Sequence, residues 1–133
     1  VKTIQAYSKA LSQSESASIV LFSTVATKLG MPFHASVATA KSAVEGLTKS
    51  VAADLAPKIR VNAIAPTITN TDLAAKFLRN ERMIESTIQR HPLKKYLEPT
   101  EVAAMASYLL SDLSKSISGQ IFNLDCGIVS LKL

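Results

Sequence analysis

The apolar run Ile19–Ser23 ends in two hydroxyl residues, Ser23 and Thr24, and the apolar run Ile59–Ala65 leads through Pro66 into Thr67, Thr69 and Thr71. Between them lies Ala35–Ala56, a helical run with no proline and no breaker beyond Gly46. Two parallel strands joined by a helix are the unit of an α/β sheet, and ligands in such sheets sit beyond the carboxyl ends of the strands. The hydroxyls therefore stand where a site is expected, able to donate and accept hydrogen bonds there. His34, in the loop before the helical run, carries an imidazole, a side chain able to act as acid or base. The single cysteine, Cys126, has no adjacent cation in sequence and reads as a small residue in a turn. Glycine occurs only at 30, 46, 119 and 127, so no Gly-rich phosphate cradle is present.

These groups must be held by a domain of modest size. The chain has 133 residues, 47% of them hydrophobic, enough for one domain with a core. Charged residues make up 19%, which argues against extensive disorder. The net charge of +5 is spread over scattered side chains (Lys28, Lys41, Lys49, Lys58, Arg60, Lys76 and Arg79 among them), with mild clustering only at Arg90–Lys95. A solvated surface is expected, not a nucleic-acid footprint. One cysteine precludes an internal disulfide and fits a reducing, cytoplasmic setting. No apolar run approaches the roughly 20 residues that span a bilayer.

The elements follow from periodicity. Val1–Leu11 has apolar residues at 1, 4, 7, 10 and 11, the spacing of a helix with one buried face. Ile19–Ser23 is a strand buried on both sides, and Val25–Ser36 a loop punctuated by Gly30 and Pro32. In the helix Ala35–Ala56, positions 37, 40, 44, 47, 51 and 55 form a core-facing stripe, and Pro57 ends it. The strand Ile59–Ala65 follows. Asp72–Phe77 and Arg79–Gln89 read as short helices, His91–Pro99 as a connector, and Thr100–Ser111 as a helix capped by Thr100. Ser118–Gln120 is a turn, Ile121–Leu124 a strand and Asp125–Leu133 a tail. Three strands and about four helices make a thin sheet, so the whole chain, 1–133, reads as half of one larger α/β domain.

The segments SIVLFST, AKSAVEGLTKSVAADLAP, IRVNAIAPTITNTDL, EPTEVAAMASYLLSD and ISGQIFNLDCG, in that order, resemble the C-terminal half of the short-chain dehydrogenase/reductases, particularly 3-oxoacyl-acyl-carrier-protein reductases. The resemblance implies a doubly wound parallel, Rossmann-like sheet that binds NAD or NADP. It also implies a preceding half with the Gly-rich turn and the residue that selects between the two nucleotides. Family chemistry is hydride transfer between a nicotinamide and a carbonyl or alcohol. A tyrosine acts as acid or base, a lysine one turn later lowers its pKa and holds the ribose, and a serine at the preceding strand end contacts the substrate oxygen.

On that pattern Lys41 matches the lysine, and Thr24 stands at the serine position with Ser23 beside it. The tyrosine position holds Val37, which has no proton to give. Tyr7, Tyr96 and Tyr108 are not at helical spacing from Lys41. His34 is a candidate substitute. The family's Pro-Gly reads Pro66–Thr67, where a β-branched side chain crowds the approach to the nicotinamide. Thr71 is kept as a cofactor contact, Thr69 lies beside it, and Asp-Gly-Gly becomes Asp125-Cys126-Gly127. Asn62, Pro66, Glu101 and Gly119 keep the scaffold types. Three functions are open: an oxidoreductase-fold protein with a degenerate site, an active reductase using Thr24, a water on Lys41 or His34, and a non-enzymatic assembly or regulatory subunit. The resemblance implies a homodimer or homotetramer through helices 1–11 and 35–56. Substrate choice would lie in Asp72–Pro92, whose sequence shows no diagnostic pocket, and no metal is expected.

Overall fold

The computed structural model describes residues 1–132, and the last residue of the expected tail and domain, Leu133, lies outside them. The elements are α1 (Lys2–Leu11), β1 (Ala17–Phe22), α2 (Ala35–Leu55), β2 (Ile59–Pro66), α3 (Glu81–Arg90), α4 (Pro99–Leu110) and β3 (Ile121–Leu124). Short 3-10 turns occupy Val25–Thr27, Asp72–Phe77 and Asp112–Ser114. The strands form one parallel sheet in the order β1-β2-β3, with Ala17 opposite Ile59 and Ala63 opposite Ile121.

β2 is the centre of the fold because it alone has a strand on each side and a helix over each face. Val61, Asn62, Ala63, Ile64 and Ala65 are fully buried. Ile59 and Val61 pack with Ala17 and with Ala52 of α2, joined by Leu11, Ile19, Leu21, Val51 and Leu55. Burying one such aliphatic side chain is worth about 1.5–3 kcal/mol. Side chains alternate along a strand, so Arg60 points to the other face. There its guanidinium donates to the carbonyls of Leu109 (3.0 Å) and Ser111 (3.0 Å) and to Ser114 Oγ (2.8 Å), binding the end of α4 to the sheet. Arg60 is thus a tether, not one of the solvated cations its scatter suggests. Asn62, also inward, donates to Ile117 O and accepts from Gln120 N, which sets the turn into β3. Gly119 in that turn has φ +74°, open to glycine without strain.

Several expectations need correction. β1 starts two residues earlier than the apolar run and is half-buried, with Phe22 exposed, because it is an edge strand of this sheet. The expected stripe of α2 holds only at its far end: Val51 and Leu55 pack against the core cluster, whereas Val37 and Ala40 are exposed and the buried residues are Thr48 and Ala52. Thr48 faces the sheet because its hydroxyl is satisfied by the carbonyl of Val44 (2.8 Å), a bond that an apolar count passes over. No residue of α1 is buried, and only Leu11 meets the core cluster. α4 begins at Pro99 with Glu98 as its cap, not Thr100. Proline suits the first helical turn, and the Glu101 carboxylate reaches back to accept from the Glu98 N–H at 2.9 Å. Asp72–Phe77 is 3-10, and α3 starts at Glu81 because Asn80 Oδ1 caps Met83 N at 3.0 Å.

Candidate functional site

All three strands are parallel, so their carboxyl ends share one edge, and the hydroxyl clusters gather along it. At the end of β1, Lys41 Nζ donates to the carbonyl of Phe22 at 2.9 Å. Ser23 is buried and extends the ladder, its N–H donating to Ile64 O at 2.7 Å. Its hydroxyl donates to Glu45 Oε1 at 2.6 Å. Thr24 is half-buried, and its Oγ1 accepts from Ala26 N at 3.3 Å, which opens the following 3-10 turn. That bond uses a lone pair and leaves the Thr24 hydroxyl hydrogen free to donate. Thr27 contacts both Thr24 O (2.9 Å) and Glu45 Oε1 (2.8 Å), sharing one hydrogen between them.

Val37, Lys41 and Glu45 stand at successive i, i+4 positions, one helical line on α2. Val37 is 45% exposed. The valine leaves an aliphatic surface one turn before the ammonium of Lys41. His34 is the residue before α2, with no capping bond from its side chain. Its Nδ1 lies 2.7 Å from Pro32 O. A carbonyl only accepts, so Nδ1 carries the proton and Nε2 is the nitrogen left free. Phe33 beside it is fully exposed in the left-handed region, at φ 62°.

At the end of β2, Pro66 is half-buried and Thr67 N donates to Leu124 O at 3.0 Å. The Thr67 hydroxyl lies 2.7 Å from Nε2 of His91, a buried ring whose Nδ1 lies 2.7 Å from Thr87 O. The hydroxyls of Thr69 and Thr71 turn back to the carbonyls of Thr67 (3.1 Å) and Thr69 (3.3 Å). Beyond β3, Asp125 accepts from the N–H groups of Gly127 (2.8 Å) and Val129 (3.2 Å). Cys126 is buried there at φ 52°, and burial pushes its thiol above the ordinary value. Lys28 Nζ reaches Asn123 Oδ1 at 2.7 Å and so links the β1 and β3 ends.

Lys41, Ser23 and Thr24 therefore meet at one strand end, while Pro66, Thr67, Thr69 and Thr71 line the next. Sequence reasoning missed Glu45 and His91. Glu45 had a signal, a lone carboxylate one turn after Lys41 on the same face. His91 had none, because its partners lie in separate segments. The segment 72–92, whose sequence shows no diagnostic pocket, borders an open surface groove lined by Phe77, Asn80, Arg82, Met83, Ser86 and Arg90. Among the described residues no cluster of three or more His, Cys, Asp or Glu is placed to hold a metal ion. Among the same residues no helix is long and apolar enough to cross a membrane.

The family model described as enoyl-(acyl carrier protein) reductase matches residues 1–129. A tropinone reductase homolog of Datura stramonium is 39% identical over 121 residues, covering 88% of this chain and 45% of the relative. The 3-oxoacyl-[acyl-carrier-protein] reductase of Thermotoga maritima is 38% identical over 113 residues, covering 84% of this chain and 45% of its own. Among solved structures, a gluconate 5-dehydrogenase from Burkholderia cenocepacia in complex with NADP and tartrate superposes with a TM-score of 0.89 at 27% identity, over 97% of this chain and 51% of that one. A 3-oxoacyl-[acyl-carrier protein] reductase from Brucella melitensis gives 0.86 at 32% identity, over 97% of this chain and 48% of that one. The chain spans about half the length of the curated relatives it matches.

Proposed function

The chain belongs to the short-chain dehydrogenase/reductase family, and on that premise we propose that its strand-end site binds NAD or NADP but lacks the usual acid/base. The protein is then an oxidoreductase-family member with weak or no standard carbonyl reductase activity. The observation that carries this reading is Val37, an exposed aliphatic side chain one turn before Lys41 on the same helical line.

The residues present fit a nicotinamide nucleotide in part. Lys41 has three N–H donors and spends one on Phe22 O, which leaves two for ribose hydroxyls. Thr24 keeps its hydroxyl hydrogen for a substrate oxygen. Pro66, Thr67, Thr69 and Thr71 border the same edge. The Thr67 hydroxyl is engaged by His91, so its contribution to the cleft is bulk at the family's glycine position. When bound, the nicotinamide supplies hydride. Lys41 holds the ribose, Thr24 orients a carbonyl or alcohol, and the proton has no phenol to come from. A water held on Lys41, or the free Nε2 of His34, is the route for any residual turnover. The setting of this reading is a cytoplasmic homodimer or homotetramer acting on a small molecule.

The test is fluorescence titration of the full-length protein with NADH and NADPH, followed by carbonyl-dependent oxidation. Binding with little turnover supports the reading. If Val37→Tyr does not raise turnover in a protein that binds nucleotide, position 37 is not the decisive lesion.

The exposed α1 favours a second reading, a non-enzymatic assembly or regulatory subunit using α1 and α2. No residue of α1 is buried, and Val1 and Tyr7 are 69% and 62% exposed. A stable dimer by light scattering, with no nucleotide binding, selects this alternative.

A further inference from the structure

Resting on the reading that this edge holds a nucleotide and a carbonyl, we propose that Glu45 is the positioning residue of the site, the acceptor that fixes the backbone presenting Thr24. Thr24 makes one side-chain bond, the 3.3 Å contact from Ala26 N, so its direction depends on the segment that carries it. That segment is gripped on both sides by a single oxygen. Glu45 Oε1 accepts from Ser23 Oγ at 2.6 Å, the residue before Thr24, and is contacted by Thr27 Oγ1 at 2.8 Å, three residues after it. Thr27 Oγ1 also lies 2.9 Å from the carbonyl of Thr24 itself. Ser23 is buried, so without this acceptor its hydroxyl loses its partner in a place with little water.

The placement on α2 gives the grip its purpose. Glu45 is one turn beyond Lys41, and Lys41 holds the carbonyl of Phe22. The two side chains contact Phe22, Ser23 and Thr27 from one helical line, so α2 sets the distance between the ammonium and the Thr24 hydroxyl. Lys41 addresses the nucleotide and Glu45 addresses the substrate side. The role is that of an acceptor, and a carboxamide oxygen serves it as well as a carboxylate.

The experiment compares E45A and E45Q, both alone and with V37Y, in the full-length protein. Amide hydrogen exchange is the readout independent of activity. E45A is expected to speed exchange at residues 24–29 by about tenfold, the worth of one or two lost hydrogen bonds, while α4 and β2 keep the wild-type rate. E45Q is expected to stay within about twofold of wild type. In the V37Y background, E45A is expected to lower carbonyl turnover by about tenfold and leave the NADPH dissociation constant within about twofold. Unchanged exchange in E45A, a uniform rise along the chain, or an E45Q that behaves like E45A overturns the proposal. If E45A does not fold, S23A and T27V probe the same oxygen from the other side. Local speeding at residues 24–29 in both then supports the proposal, and wild-type rates in both overturn it. If the wild type binds no nucleotide, the functional reading falls, while the exchange data still decide the role of Glu45.

Discussion

Thr67 Oγ1 lies 2.7 Å from His91 Nε2, and the far nitrogen of the same ring lies 2.7 Å from the carbonyl of Thr87. The carbonyl requires a proton on Nδ1, and in the neutral ring Nε2 then accepts from the Thr67 hydroxyl. The ring is 3% exposed and spans from α3 to the end of β2. Removing it strands the half-buried Thr67 hydroxyl and a carbonyl together, at about 1–3 kcal/mol for each group left without a partner. We expect H91A to lose about 2–4 kcal/mol in urea unfolding at neutral pH, and T67V to lose about 1–3 kcal/mol by stranding Nε2. A loss below about 0.5 kcal/mol in both would mean that the relay does not stabilise the fold.

Arg60 makes three hydrogen bonds to the end of α4 and the turn after it. The Leu109 carbonyl keeps two other donors, the hydroxyls of Ser18 and Ser114, so an Arg60 variant does not leave it orphaned. The expected cost of R60M is therefore that of the charge-assisted bonds themselves, about 1.5–3 kcal/mol. Arg60→Lys recovers only part, because an ammonium lacks the planar fork that reaches Leu109, Ser111 and Ser114 together. Thermal unfolding ranks the two variants, and R60K equal to wild type contradicts the tether.

Acid should weaken the N-terminal cap of α4. The Glu98 backbone N–H donates to Glu101 Oε2 at 2.9 Å, and Lys95 Nζ lies 2.6 Å from Oε1. Both hold the Glu101 carboxyl below the ordinary value, the Glu98 amide foremost. Below the unperturbed value of 4.5 the unfolded chain takes up a proton that the folded chain resists. Stability from this group is thus present above that pH and lost as pH falls through the lowered folded value. Thermal midpoints across the acid range should drop less steeply in E101Q than in wild type. Parallel curves would exclude Glu101 as a contributor.

Position 37 tests the chemistry directly. General acid–base groups contribute typically 10²–10⁴-fold, so V37Y is expected to raise carbonyl-dependent NAD(P)H oxidation by about 10²-fold. K41M in that background is expected to abolish the gain and to weaken nucleotide binding. A gain that survives K41M would separate the lysine from both roles.

The residues legible in the sequence were those whose signal is periodic. The run Ile59–Ala65 is apolar at nearly every position because β2 is covered on both faces, and α2 shows no breaker along most of its length. Ala17 and Ser18 were passed over because a small and a polar residue weaken the apolar run, although Ser18 is anchored by its bond to Leu109 O. Thr48 was left out of the α2 stripe because it hides its hydroxyl in its own helix. The strand-end hydroxyls were legible because a parallel sheet fixes where its carboxyl edge lies. Glu45, Arg60 and His91 were read wrongly or not at all because their partners lie 18 to 54 residues away or are backbone atoms. No local pattern encodes such pairings.

Val37 touches on something wider than catalysis. Its side chain is 45% exposed, and it belongs neither to the core cluster on β2 nor to the grip on residues 22–27. A change of side chain there leaves the sheet, the helix packing and the strand-end hydrogen bonds as they are. The packing seen within this chain therefore places no demand on the side chain at this position. A lineage could exchange a proton donor for an aliphatic group, or take one up again, along a path on which every intermediate remains folded.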